Sequence, residues 1–113
     1  MSTQMTITPA QGVWVVRAGG AVLAESGAAM QLDEDGHAPV IYFPRGDIAM
    51  AFLEPSATRT QCPHKGEAGY FGIAAATGMI ADAAWAYEAP VSGAEQIGGH
   101  VAFDTEKVTV ERI

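Results

Sequence analysis

The sequence predicts a mainly β fold, an open barrel or a folded pair of antiparallel sheets, with one short helix. Three observations point there. Short runs rich in β-branched and aromatic residues recur along the chain, such as GVWVVR at 12–17 and VIYF at 40–43. Turn-forming clusters separate them at regular intervals: AGG at 18–20, DEDGHA at 33–38 and TG at 77–78. Only one stretch, 44–53, sets apolar residues at helical spacing.

Residues 12–17 read as a strand, with 21–26 as its hairpin partner across Gly19-Gly20. A second hairpin joins 28–32 to 39–43. Ile48, Ala51 and Phe52 then mark a short helix that Pro55 ends. Residues 58–62 form a strand with Thr58, Thr60 and Cys62 on one face and Arg59 and Gln61 on the other. A turn at 63–66 leads into AGYFGIAAA at 68–76, and Thr77-Gly78 turns that run into MIADAAWAY at 79–87. Alternation on the last strand places Trp85 and Tyr87 on one face, with Asp82 and Ala84 on the other. Residues 88–99 read as a loop with one helical turn, followed by short strands at 99–104 and 107–110. There is no internal repeat, low-complexity tract or dividing linker.

A chain of 113 residues suits one domain over 1–113, with 1–11 a segment that could be loosely ordered. With 49% hydrophobic and 17% charged residues, the composition supports a buried core. Six Lys and Arg against thirteen Asp and Glu give a net charge of -7, which repels phosphate backbones and anionic lipid, so neither nucleic acid nor membrane is an expected partner. The single cysteine permits no internal disulfide. The first residues have neither a basic region nor an apolar core of the secretory kind, and no apolar run approaches the ~20 residues of a membrane span. A cytoplasmic location is the resulting expectation, with the oligomeric state left open.

Chemistry-bearing residues concentrate in TQCPHKG at 60–66. Cys62 could be a nucleophile activated by His64 or Lys65, or simply a small buried hydrophobe. Pro63 weighs against a Cys62–His64 partnership, because it begins a turn between them. Zinc would need four ligands, and paired Cys-x-x-Cys motifs are absent, so neither a metal nor a cofactor is expected. Lys65 and Gly66, with Arg45, could cradle an anion at exposed backbone amides, although one lysine in a turn is commonly only solvated. Asp33-Glu34-Asp35 resembles a magnesium-binding carboxylate run but reads more simply as a solvated hairpin loop. Trp85 and Tyr87 could floor a ligand pocket or fill a core.

Several blocks taken in order carry a family resemblance: YFPR at 42–45, Thr-x-Cys-Pro-x-Lys-Gly at 60–66, the Trp85–Tyr87 strand, and VAF at 101–103. The chain is similar in these to domain-of-unknown-function family 427, which some catalogues label nucleotidyltransferase-like. Family positions match Tyr42, Arg45, Asp47, Thr60, Cys62, Lys65, Gly66, Trp85 and Tyr87, while His64 stands where Tyr or Phe is usual. The resemblance implies a tent-like domain in which two antiparallel sheets meet at an angle and enclose a groove.

The resulting expectation is a small anionic or carbonyl-bearing ligand bound in a groove between the sheets. Arg45 and Lys65 would supply charge, Thr60 and Cys62 the wall, and Trp85 with Tyr87 the apolar cover; Tyr42 and Asp47 complete the candidate site. Three alternatives stand beside it. One is an enzyme using Cys62, its pKa lowered by Lys65 or Arg45 with Asp47 orienting. The others are a nucleotidyltransferase-like activity and an interaction module that offers a sheet edge.

Overall fold

The structure is a computed structural model that describes residues 4–113. It contains β1 (Met5–Pro9), β2 (Trp14–Ala18), β3 (Ala21–Ser26), β4 (Met30–Glu34), β5 (Val40–Phe43), β6 (Leu53–Cys62), β7 (Gly66–Ala75), β8 (Gly78–Ala86), β9 (Val101–Phe103) and β10 (Thr109–Arg112). These form a seven-stranded sheet, ordered β1-β4-β5-β9-β8-β7-β6, and a three-stranded sheet, ordered β10-β2-β3. Every pairing is antiparallel, and β1 and β6 remain as edges, so the large sheet does not close into a barrel. Among the described residues no helix is long and apolar enough to cross a membrane.

Both expected hairpins form. Gly19 and Gly20, at φ 56° and 85°, supply the left-handed backbone that the two-residue β2–β3 turn requires. Strand β4 pairs with β5 through Met30↔Tyr42, Gln31↔Ile41 and Leu32↔Val40.

The expected helix at 44–53 is replaced by two single 3-10 turns, Arg45–Asp47 and Met50–Phe52. Between them Ile48 is extended and bridges Ala24, while the Ala49 amide donates to the Leu23 carbonyl at 2.8 Å. Pairing with β3 and burial of Ile48 outweigh a weak helical pattern that begins Pro-x-Gly. Residues 5–9 depart from the expectation that 1–11 form a loose segment. Met5–Pro9 pairs with β4 along its length, and Ile7 packs on that sheet; residues 1–3 lie outside the described part. The last strand starts at Thr109, because Asp104 accepts from the amides of Lys107 and Val108 and holds a turn ahead of it.

Alternation sorts the large sheet into two faces. Ile41, Phe43, Phe71, Ile73, Val101 and Phe103 point toward the small sheet, where they meet Val16, Leu23 and Ala24 in the main core. Phe43 and Phe103 meet edge to face, their centroids 5.8 Å apart. A second cluster covers the opposite face of the large sheet, around Leu32, Tyr42, Ala68, Tyr87, Ile97 and Ala102. The loop at 88–100 lays Ala94 and Ile97 onto that face.

Phe43 and Ile73 are both fully buried in the main core. Phe43→Ala is expected to lower unfolding free energy by about 3–5 kcal/mol and Ile73→Val by about 1 kcal/mol. Urea denaturation followed by tryptophan fluorescence measures both.

Candidate functional site

The site is built on the face of the large sheet turned away from the small one. One cross-strand row runs Tyr70↔Trp85↔Ala102↔Tyr42↔Met30, through β7, β8, β9, β5 and β4. Ala102, between Trp85 and Tyr42, is small enough for the indole to lie across it. The Trp85 Nε1–H thereby donates to the Tyr42 hydroxyl at 3.3 Å. Tyr70 flanks the indole at 6.4 Å between centroids, and its hydroxyl meets the Thr60 hydroxyl at 3.0 Å.

The sheet curls around this row. Lys65, in the β6–β7 turn, donates to Glu34, at the end of β4, at 3.1 Å. Four inter-strand spacings separate β4 from β7, about 19 Å if the sheet were flat and more than a lysine side chain spans. Twist and coil therefore bring these two corners together. Both side chains are largely buried, 12% and 11% exposed. Gly66 holds the turn against the loop: its φ is 118°, and a Cβ there would lie 3.4 Å from the Ala89 carbonyl oxygen. The Val91 amide donates to the Lys65 carbonyl at 3.0 Å.

Beneath the Lys65–Glu34 bridge lies a pocket of about 350 Å³, whose walls include Leu32, Tyr42, Tyr70, Trp85 and Tyr87. Its charged lining is Glu34, Asp82, Asp104 and Lys65, with His37 at the side, which makes it net negative. Tyr42 is 1% exposed and Tyr87 5%. Burial pushes the Tyr42 phenol up to about 12, partly offset by the bond from Trp85, and burial pushes Tyr87 up as well. Both are neutral hydrogen-bond donors at physiological pH. The Tyr42 hydroxyl accepts from Trp85, and its own proton has no acceptor among the described residues. The Tyr87 hydroxyl has no partner among them. Among the described residues no fully enclosed polar side-chain atom lacks a partner, so the Tyr87 hydroxyl keeps accessible surface, and Tyr87 lines the pocket. At the other end, hydroxyl bonds from Ser56 and Thr58 hold the Asp82 carboxyl below its usual value, with Lys107 adding to the effect; Thr58 Oγ1 donates at 2.7 Å.

The structure brings together Tyr42, Lys65, Trp85 and Tyr87 on the pocket wall, with Thr60 bonded to Tyr70 and Cys62 packed in the same cluster. It separates Arg45 and Asp47 from them. Arg45 stacks over Phe71, 5.6 Å from its centroid, donates from Nε to the Gly99 carbonyl at 2.6 Å, and pairs with Glu88. Phe71 belongs to the face opposite the one that carries Lys65, so the two cations do not share a site. Asp47 accepts from the Ser26 hydroxyl at 2.6 Å, while Ser26 also caps the Ala28 amide. Both are fasteners of the 44–49 segment. The expected groove between the sheets is corrected accordingly: the pocket lined by the aromatic residues lies on the outer face of the large sheet.

His64 is exposed in its turn, whereas Cys62 is half-buried against the tyrosines. Among the described residues no group of three or more His, Cys, Asp or Glu is arranged to hold a metal ion. In the acidic run, Asp33 accepts from Gln31, Asp35 from the Gln4 amide, and Glu34 from Lys65. Asp82 faces the pocket, against the simple alternation, because a positive φ of 48° and a shift in β7–β8 register break the pleat there. Tyr70, Glu34, Asp82 and Asp104 were missed as lining residues. Tyr70 carried a readable signal, since it pairs directly with Trp85 when β7 and β8 form a hairpin; Asp82 and Asp104 carried none.

Fold and site together define a small two-sheet β domain with an aromatic pocket on the curled face of its larger sheet. The chain belongs to the family described as Domain of unknown function (DUF427), whose model matches residues 6–113. No curated protein matches it.

Removing one partner of the Lys65–Glu34 pair leaves a largely buried charge without its counter-ion. Lys65→Met is expected to cost about 2–4 kcal/mol in denaturant unfolding, and the double variant Lys65→Met/Glu34→Leu less than that single change. Tyr42 has a pKa raised from 10.0 to about 12, so the stability it contributes is full below pH 10 and is lost as pH rises toward 12. Tyr42→Phe should lose less stability than wild type across that window, measured by denaturant midpoints taken alongside tyrosinate absorbance.

Proposed function

We propose that this domain binds a small, neutral, carbonyl-bearing molecule in the pocket on the outer face of its large sheet. The observation that carries this reading is the Tyr87 hydroxyl. It is a donor on a side chain that is only 5% exposed overall, without a partner among the described residues, on the wall of a cavity. A hydroxyl donor that faces a sheltered cavity with no protein acceptor is placed to bond an acceptor on a ligand. The free proton of Tyr42 offers a second donor to the same region. A volume of about 350 Å³ lies at the low end of the range for small-molecule sites, roughly 300–1,000 Å³. That favours a metabolite-sized occupant.

The charge of the lining selects against anions. Three carboxylates face the pocket against one lysine, and that lysine is already paired with Glu34. The same balance gives no support to a nucleotidyltransferase-like reading, which needs cations or a glycine-rich cradle for phosphates. Cys62 lacks the activating cation that a thiolate nucleophile requires, because Lys65 is engaged with Glu34 and His64 projects to solvent. Sheet-edge pairing fares no better, since β6 contains Pro55 and an irregular register and β1 ends in Pro9.

Butanamide and butanoate, titrated into labelled protein, provide the test. Butanamide should shift the Trp85 indole N–H resonance in a saturable way, and butanoate should bind more weakly. Tyr87→Phe, which removes the donor and leaves the ring, should weaken butanamide by roughly 3–10-fold. Equal binding of the amide by wild type and Tyr87→Phe would defeat the assignment.

A further inference from the structure

Strand β9 contains only Val101–Phe103, and at Asp104 the chain leaves the large sheet in a turn. Its neighbours β5 and β8 both run on past that point, so the sheet has a notch between them. The Asp104 amide keeps one bond to the Ala83 carbonyl at 2.8 Å, which fixes the edge of the notch on the β8 side. On the β5 side the ladder to β9 consists of Tyr42↔Ala102 and Phe43↔Val101, and Val40 stands beyond it.

Four residues around this notch, Ala38, Val40, Trp85 and Asp104, line the aromatic pocket and also a second cavity of about 420 Å³. The second cavity differs in chemistry. It opens at the margin between the two sheets, and its walls include Trp14, Ile41, Phe103 and Val110. Neither Lys65 nor Glu34 reaches it, and none of the three tyrosines does. A pocket lined by tyrosine hydroxyl donors thus adjoins a mainly apolar one across a break in the sheet.

We propose that a single amphipathic ligand occupies both cavities: an uncharged carbonyl head against Tyr42 and Tyr87, and an unbranched hydrocarbon tail that passes the notch into the apolar cavity. The chemical class is a medium-chain acyl derivative with a neutral head, such as an amide, ester or ketone. This rests on the carbonyl-pocket reading above and adds the tail to it. The net negative lining excludes the free fatty acid as the preferred form, because a carboxylate head would stand among Glu34, Asp82 and Asp104. Apolar burial supplies the affinity that a lone carbonyl cannot, since each methylene moved out of water contributes about 0.8 kcal/mol, or up to about fourfold in binding.

The chain's two tryptophans report on the two cavities separately: Trp85 lines both, and Trp14 only the apolar one. Butanamide, hexanamide and octanamide, each below its aggregation limit, are titrated into the labelled full chain while both indole N–H resonances are followed. Butanamide should move Trp85 alone, and octanamide should move Trp85 and Trp14 together with a single dissociation constant. Affinity should rise two- to fourfold per methylene along the series, and Val110→Trp, which fills the apolar cavity, should abolish that rise. The wild-type indole map stands by itself if that variant folds poorly. Octanamide binding no more tightly than butanamide, or moving Trp85 alone, overturns the two-cavity ligand and leaves the carbonyl pocket standing. Butanamide that fails to move Trp85 defeats the pocket reading itself.

Discussion

The Lys65–Glu34 bridge expresses the constraint on which the rest of this fold depends, the curl of one seven-stranded sheet upon itself. Twist alone makes a saddle; a clasp between distant corners makes a concavity. A mostly buried ion pair is weak evidence of net stabilisation, because desolvation offsets much of the attraction. Its value here is geometric: it ties together two corners of the sheet that lie four strand spacings apart. The bond from the Val91 amide to the Lys65 carbonyl extends the clasp to the 88–100 loop, whose Ala94 and Ile97 close one side of the concave face.

Inside that concavity the decisive residue is a small one. Ala102 sits at the centre of the Tyr70–Trp85–Ala102–Tyr42 row and leaves the space that the Trp85 indole needs to reach the Tyr42 hydroxyl. A larger side chain would push the indole off the sheet and part the two rings. Small residues on the central strands are therefore what gives the face its depth, with aromatic residues as the walls. The shortness of β9 acts in the same direction, because ending the ladder at Phe103 leaves the notch where the two cavities adjoin.

Much of this was legible in the chain. Hairpins at Gly19-Gly20 and Thr77-Gly78 follow from turn chemistry, and the shared face of Thr60 with Cys62, and of Trp85 with Tyr87, follows from the period of a strand. The short helix at 44–53 was misread because a pattern of three apolar residues cannot register the pairing of Ile48 with Ala24, which is non-local. Asp82 was placed on the wrong face for a related reason: a local irregularity of the strand at Asp82 breaks the alternation on which the assignment rested. Arg45 and Lys65 look equivalent in sequence, as two cations beside turns. One is a fastener over Phe71 and the other a clasp on the opposite face.

By itself the sequence determined the antiparallel character, the positions of the hairpins and face pairs such as Thr60 with Cys62 and Trp85 with Tyr87, since each of these is set within a few residues by turn chemistry and a two-residue period. Only the tertiary structure decided that β1 joins the large sheet, that β5 lies beside β9, and that Glu34 meets Lys65. Those contacts join segments far apart in the chain, and they form because burying one curled face satisfies many distant side chains together. The pocket belongs to this second kind of information: its walls come from four strands and the segments that join them, and no local stretch of the chain contains it.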